Sequence, residues 1–267
     1  MHDLSYNAIV GDLAEVGTRM TAIDAAEAAA GNISVFVRGL DGLAGAFHER
    51  GAIDLPVAAS ALAGGWVIVT GAGRRLRDVA ATPETTICCL RIHDDGLRAT
   101  CYAATEVYPT SELNSHLAIH DDHVARYDLA YHAVVHAQPV YLTYLSHIAR
   151  YAETRALNRR LLRWQPETIL TFPEGIATLP FQMPGSPEQA EVTAAAMRTY
   201  RAVVWQRHGI ITRSEISARK AGDLVEYAET AARYEYLNLQ AGEPSSGLSD
   251  AEMRLMCERW QIEQQIF

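Results

Sequence analysis

Thr86-Ile87-Cys88-Cys89-Leu90-Arg91-Ile92-His93-Asp94-Asp95-Gly96-Leu97-Arg98-Ala99-Thr100-Cys101-Tyr102-Ala103-Ala104-Thr105 decides how the sheet of this protein is built. Two strand-like runs, Thr86 to Ile92 and Leu97 to Thr105, flank Asp94-Asp95-Gly96. An Asp-Gly pair supplies the backbone torsions of a tight hairpin turn. A hairpin forces its strands antiparallel, so a chain whose strands and helices otherwise interleave cannot close a purely parallel sheet. The fold expected is a mixed α/β layered domain.

Upstream, Leu4, Ile9, Leu13, Val16 and Met20 follow helical spacing and predict a first amphipathic helix ahead of the Ala-rich stretch ending at Ala30, with Gly31 closing that helical region. Asn32-Ile33-Ser34-Val35-Phe36-Val37 alternates and reads as a strand. After a Gly- and Ala-rich connection, Trp66-Val67-Ile68-Val69-Thr70 is a second strand running into Gly71-Ala72-Gly73-Arg74-Arg75. Downstream, Pro109-Thr110-Ser111-Glu112 opens a helix reaching about Arg126, with Thr110 or Ser111 as cap and Glu112 in the electropositive first turn. Ala133 to His136 is a short buried strand, followed by helices near Val140 to Ala149 and Arg155 to Trp164. A strand over Thr168 to Phe172, a helix over Pro187 to Tyr200, a strand over Ala202 to Gln206 and a long helix from Ser217 to Gln240 complete the reading.

The chain has 267 residues, 49% of them hydrophobic and 21% charged, enough to bury one sizeable core, and no linker-like segment divides it, so one domain over 1–267 is expected. A net charge of -9 repels polyanions and anionic lipid, which excludes nucleic acid and a membrane surface as expected partners. Any phosphate must be captured by local geometry. The first seven residues carry neither a positive nor an apolar signal region, and no apolar run is long enough to span a bilayer. Cys88, Cys89, Cys101 and Cys257 form no CxxC pair and read as packed thiols in a reducing, cytoplasmic setting.

Several residues carry possible chemistry. His136 ends a buried strand, and Gln138, two residues on, shares its face if the strand continues. His208 follows Val203-Val204-Trp205 and precedes Gly209, which lets the backbone turn sharply beside the imidazole. Glu112 at a helix start is aimed rigidly enough to work on a substrate. Taken singly, each histidine reads more readily as a hydrogen-bonded packing residue than as a ligand, and Glu112 more readily as a solvated helix-start acid than as a catalytic one. A rival metal site is the stripe Glu112, His116, His120, His123 along one helix face. The Gly71-Ala72-Gly73 turn, with Arg74 or Arg75, has the form of a phosphate cradle or simply of a tight turn.

Taken together and in order, Gly31-Asn32-Ile33-Ser34-Val35, Val69-Thr70-Gly71-Ala72-Gly73, Pro109-Thr110-Ser111-Glu112-Leu113, Val135-His136-Ala137-Gln138, Phe172-Pro173-Glu174-Gly175, Met183-Pro184-Gly185 and His208-Gly209 resemble the class II aldolase/adducin family, most of all its L-rhamnulose-1-phosphate aldolase branch. The resemblance runs from about Gly31 to Gln240. It implies a three-layer domain with a central, largely antiparallel sheet flanked by helices. It also implies a homotetramer with active sites at subunit boundaries. The activity implied is metal-dependent cleavage of a ketose 1-phosphate of the rhamnulose or fuculose type into dihydroxyacetone phosphate and an aldehyde, through a metal-stabilised enediolate. By the same resemblance Glu112 is the catalytic acid/base and Glu167 a second catalytic glutamate acting across the subunit interface. His136 and His208 are metal ligands, and Asn32, Thr70, Gly71, Ala72, Gly73 and Ser111 hold the substrate and its phosphate.

The chain departs from the family pattern in three places. Gln138 stands where the family has its middle zinc-ligand histidine, and an amide oxygen is a harder, weaker donor for zinc than imidazole, so manganese or cobalt are alternatives to zinc. Ala72 replaces a phosphate-holding serine, and Ala29 replaces an asparagine. Family members that epimerise pentulose phosphates or decarboxylate phosphorylated keto-acids, and adducin-like scaffolds without metal, are the alternative outcomes on the same fold.

Overall fold

The computed structural model of the chain describes residues 5–43, 45–264 and 266–267. Leu4, read as the first residue of the opening helical pattern, lies outside them. The helices are α1 (Tyr6–Ala22), α2 (Pro83–Thr86), α3 (Leu113–Tyr127), α4 (Val140–Leu145), α5 (Thr154–Leu161), α6 (Pro166–Thr171), α7 (Pro187–Met197), α8 (Ala218–Gln240) and α9 (Asp250–Trp260). The strands are β1 (Asn32–Val37), β2 (His48–Asp54), β3 (Trp66–Thr70), β4 (Ile87–Ile92), β5 (Arg98–Ala103), β6 (Tyr131–Ala137), β7 (Ala177–Leu179), β8 (Ala202–Trp205) and β9 (Gly209–Ser214). All of them join one sheet in the order β2-β5-β4-β3-β1-β6-β9-β8-β7. Every pairing is antiparallel except β7 with β8. The β4–β5 hairpin forms around Asp95-Gly96, with Gly96 at φ +64° and the Asp95 carboxylate accepting from the Leu97 amide.

Two helical layers cover the sheet. Ile33, Val35 and Val37 of β1 and Ala133, Val135 and Ala137 of β6 enter a core shared with Leu13 and Val16 of α1 and Val225 and Ala228 of α8. The alternate residues of the same strands face the other way. Phe36 packs with Leu113, Leu117 and Val124 of α3, and Val134 with Ile119 of α3 and Met197 of α7. That parity puts Asn32 and Ser34 of β1 and His132 and His136 of β6 on the face that α3 crosses. Strand register then places Asn32 opposite His136 and Phe36 opposite His132. Polar side chains therefore run as a buried seam beneath α3. The four cysteines are buried free thiols.

Several expectations are corrected. The first helix precedes the Ala-rich stretch as expected, but the helical region ends at Ala22 rather than at Gly31, because Asp24 enters the left-handed region at φ +55° and the Ala25 amide turns back to Met20. Thr168 to Thr171 belongs to α6, not a strand. Pro166 presets the first helical turn, and the Thr168 hydroxyl donates to the Leu162 and Gln165 carbonyls at 2.6 Å, spending its polarity locally. Glu112 is the residue that precedes α3 rather than part of its first turn, and its side chain caps nothing. The strands β2, β7 and β9 and the helix α9 were not anticipated.

Candidate metal centre and active site

Three chain reversals bring the site together. The β1–β6 register sets Asn32 beside His136. β9 returns along β6, so that the β8–β9 turn, with Arg207 at φ +64°, carries His208 to the same end of the sheet. Gly209 is required there, since a Cβ on it would lie 2.4 Å from the Ala137 carbonyl oxygen. Glu112 reaches in from the start of α3, buried, with its carboxylate turned away from its own helix and into this corner.

The donor set is compact. Glu112 Oε2 lies 3.5 Å from His136 Nε2, and Glu112 Oε1 lies 3.5 Å from His208 Nε2. Ligand atoms of the three residues all fall within 4.8 Å of one another. His136 Nδ1–H donates to the Ile210 carbonyl at 3.0 Å, which leaves Nε2 as a bare lone pair. Both His136 Nε2 and Glu112 Oε1 are buried without a hydrogen-bond partner. Two facing acceptors with no donor between them are costly unless a cation sits at the point they share. Two imidazoles and one carboxylate, with the backbone carbonyl fixing one ring's tautomer, fit a zinc-type divalent ion.

Burial works to raise the Glu112 carboxyl, but the His136 imidazole, the Asn32 amide donating to Oε2 at 2.8 Å, and His208 together hold it below the usual carboxylate range. Burial drives His208 down to about 4, with His136 adding to that and Glu112 opposing it, so its ring is neutral and able to ligate at neutral pH. Two further residues shape the corner and carried no sequence signal as site residues. Trp205 stacks on His208 at 5.1 Å and tilts against His136 at 4.8 Å, walling both rings. Gln189 accepts from the Gly185 amide at 2.9 Å, and its amide nitrogen lies 3.4 Å from His208 Nδ1, too long to fix the tautomer of that ring.

The remaining expected residues are less concentrated. Gln138 follows β6 directly, and its Cγ lies 3.2 Å from where a Cβ on Gly209 would sit, beside the His208 turn. The Thr70 hydroxyl is engaged with Ile33, accepting from its amide at 3.0 Å. The Gly71 and Ala72 amides donate to the Thr86 and Tyr108 carbonyls at 2.8 Å, while Gly73 turns at φ +68° on the surface. Ser111 is exposed next to Glu112. Glu167 is exposed in the first turn of α6 and outside the Glu112, His136, His208 group. The stripe Glu112, His116, His120, His123 does not converge on one ion. His116 spends its nitrogens on Ser34 and Asn32, and His120 spends its own on Ser34 and His132. A cavity of about 1090 Å³ lies elsewhere, between Thr154, Glu174 and Arg254, and neither group of converging metal-ligating side chains found among the described residues lines it.

With this geometry in hand, comparison with known proteins is direct. The family described as Class II Aldolase and Adducin N-terminal domain matches residues 11–236. The chain belongs to the class II aldolase and adducin family. Among its members, a rhamnulose-1-phosphate aldolase of Bacteroides thetaiotaomicron is 30% identical over 195 residues, covering 73% of this chain and 72% of the relative. One from Listeria monocytogenes is 29% identical over 206 residues, covering 76% and 74%. Among solved structures, a sugar-phosphate aldolase from Thermotoga maritima superposes with a TM-score of 0.76 at 26% identity, covering 90% of this chain and 99% of that one. An L-fuculose 1-phosphate aldolase shares the fold at a TM-score of 0.61 and 23% identity, covering 95% and 96%. The class II aldolase architecture expected from the motifs, a mixed α/β domain with helices on both faces of a largely antiparallel sheet, is the one observed. Among the described residues no helix is long and apolar enough to cross a membrane.

Proposed function

We propose that the chain is a metal-dependent aldehyde-lyase that cleaves a ketose 1-phosphate of the rhamnulose or fuculose type to dihydroxyacetone phosphate and a small aldehyde. The observation that carries this reading is the buried Glu112 carboxylate, 3.5 Å from each of two imidazoles, with Glu112 Oε1 and His136 Nε2 left without hydrogen-bond partners. His136, His208 and Glu112, with Gln138 as a further oxygen donor, would hold a divalent ion, which would supply Lewis-acid chemistry at the substrate carbonyl. Zinc suits the imidazoles, and Gln138 moves the preference toward manganese or cobalt.

The chain's own residues handle the protons. Cleavage removes the proton of the C4 hydroxyl, breaks the C3–C4 bond and releases the aldehyde, and the remaining three-carbon fragment takes a proton at C3. Glu112 serves that carbon: ionised at neutral pH and held at a fixed angle by the Asn32 amide, it removes the C3 proton of dihydroxyacetone phosphate in the condensation direction, and in cleavage it first takes up a proton from water and then gives it to C3. The hydroxyl proton is assigned to Glu167 of the partner subunit in a homotetramer, in keeping with its exposure on α6. Trp205 excludes water from behind the imidazoles. The phosphate end is assigned to the exposed Ser111 hydroxyl and the Gly71-Ala72-Gly73 turn, where the Gly71 and Ala72 amides are spent on backbone carbonyls and Gly73 is the exposed residue left to meet it, with Thr70 and Asn32 fixing the floor.

The test is release of dihydroxyacetone phosphate from L-rhamnulose or L-fuculose 1-phosphate by metal-loaded protein. Glu112→Gln is expected to lower kcat by roughly 100-fold or more, in the range for a lost acid/base group, while the circular dichroism spectrum stays that of the parent. Cleavage at the parent rate by this variant removes Glu112 from the chemistry. Turnover of pentulose phosphates without carbon–carbon cleavage would replace the aldolase reading by an epimerase one.

A further inference from the structure

The seam beneath α3 ends at a second cluster of ligating groups, remote from Glu112. Asn32 fixes the direction of its hydrogen bonds. Its Nδ2 donates to Glu112 Oε2, so its Oδ1 must accept from His116 Nε2–H, at 2.5 Å. A neutral His116 then has a bare Nδ1, which accepts from the Ser34 hydroxyl at 2.6 Å. With its hydrogen committed, the Ser34 oxygen accepts from His120 Nε2–H at 2.7 Å, and the bare His120 Nδ1 accepts from His132 Nδ1–H at 2.8 Å. His132 is left with a bare Nε2. Independently, His123 Nε2–H donates to the Met197 carbonyl at 3.1 Å, leaving its Nδ1 bare.

These two lone pairs are the only atoms on those rings that lack a partner, and both rings are fully buried. They share a point with the Glu215 carboxylate, the ligand atoms of all three lying within 4.8 Å of one another. The rings stack at 5.1 Å, and the exposed Tyr127 covers His123 from outside. Two bare, buried imidazole nitrogens facing a carboxylate make a donor set for a cation. Burial, reinforced by the nearby Arg213, keeps His123 down at about 4 and His132 well below its ordinary value, so protonation of the rings does not supply that cation at neutral pH.

We infer that His123, His132 and Glu215 form a second transition-metal site, at the opposite end of α3 from Glu112. Eleven helical residues separate the two ends, about 16 Å at the usual rise. The Arg213 guanidinium pairs with Glu215 Oε1 and also donates to the Met197 carbonyl. A carboxylate has room for both a guanidinium and an ion. The Arg213 charge disfavours hard ions bound by charge alone and selects ions bound through imidazole, such as zinc, cobalt or nickel, over magnesium and calcium. Glu215 is 37% exposed and gives the ion its entry. The inference is independent of the proposed aldolase activity.

Chelator-treated full-length protein dialysed against cobalt(II) or zinc(II) tests it. The expected result is two ions per chain in the parent, one in Glu215→Gln, one in His123→Asn and one in His208→Asn. In the His208→Asn background, the cobalt ligand-field absorption that remains is expected to disappear on adding Glu215→Gln, a change at a partly exposed position. A parent that binds one ion, lost in His208→Asn but kept in Glu215→Gln, overturns the second site and leaves a water molecule as the donor between the two rings. A parent that binds one ion, lost in Glu215→Gln but kept in His208→Asn, upholds it and counts against the metal centre at Glu112 instead.

Discussion

At the scale of single residues, the site is a question of which atom holds each proton. At His136 the Ile210 carbonyl accepts the Nδ1 hydrogen and leaves Nε2 as a bare lone pair facing Glu112. Gln138 is the weakest donor in the set, and replacing it tests its place. Gln138→His is expected to tighten zinc binding by about tenfold or more, since imidazole is the better zinc donor, as measured by competition with a chromophoric chelator. An unchanged affinity would show that residue 138 points away from the ion. Glu112, His136 and His208 were legible in the sequence because each sits in a short motif whose neighbours repeat in family order. Gln189 was not, for a glutamine inside α7 earns its role only when the 183–186 turn folds back to place Gly185 against it.

At the scale of elements, one hydroxyl of β1 ties together two imidazoles of α3. The Ser34 oxygen bridges His116 and His120, and all three groups are fully buried. Ser34→Ala strands one acceptor and one N–H with no water to replace the hydroxyl. Leaving a buried polar group unsatisfied costs about 1–3 kcal/mol each, so a loss of about 2–5 kcal/mol is expected in urea or guanidinium unfolding, with an unchanged m-value. A loss under about 0.5 kcal/mol would mean that the two imidazoles close the gap themselves. The elements that the sequence announced are those with a strong local pattern: the β4–β5 hairpin with its Asp-Gly turn, β1 with its alternation, and α8 with its long helical period. β2, His48–Asp54, is an exposed edge whose His-Glu-Arg opening mimics a loop. β7 has three residues and exists through its pairing with β8. Thr168-Ile169-Leu170-Thr171 carries strand-like side chains, yet Pro166 and the Thr168 hydroxyl turn it into a helix, a tertiary outcome that local propensity opposes.

At the scale of the whole molecule, the buried imidazoles set how the fold responds to acid. Burial drives His120 to about 3, His123 to about 4 and His208 to about 4, and holds His116 and His132 well below their ordinary value. Unfolded histidine titrates near 6.5, so between roughly pH 6.5 and 4 the unfolded chain binds protons that the native chain refuses. Stability is therefore fully present above about pH 6.5 and falls as the pH drops, each such ring contributing up to about 1.4 kcal/mol per pH unit. Glu229 runs the other way. Burial raises it to about 7 against the pull of the Tyr141 and Leu142 amides, so the native state takes up its proton first and gains stability on acidification. One opposing carboxyl does not offset several imidazoles. The carboxylates lowered by arginine partners, Asp223, Asp250 and Glu243, lose their contribution only near and below pH 4, outside this window. The melting temperature of metal-free protein is thus expected to fall steeply from pH 7 to pH 5, and more steeply still in Glu229→Gln, which lacks the opposing group. Bound divalent ions deepen the same trend, because protons compete for the ligands. A melting temperature that stays level across that range in scanning calorimetry would mean that the seam beneath α3 admits water and protons in the native state, and the fixed directions of its hydrogen bonds would go with it.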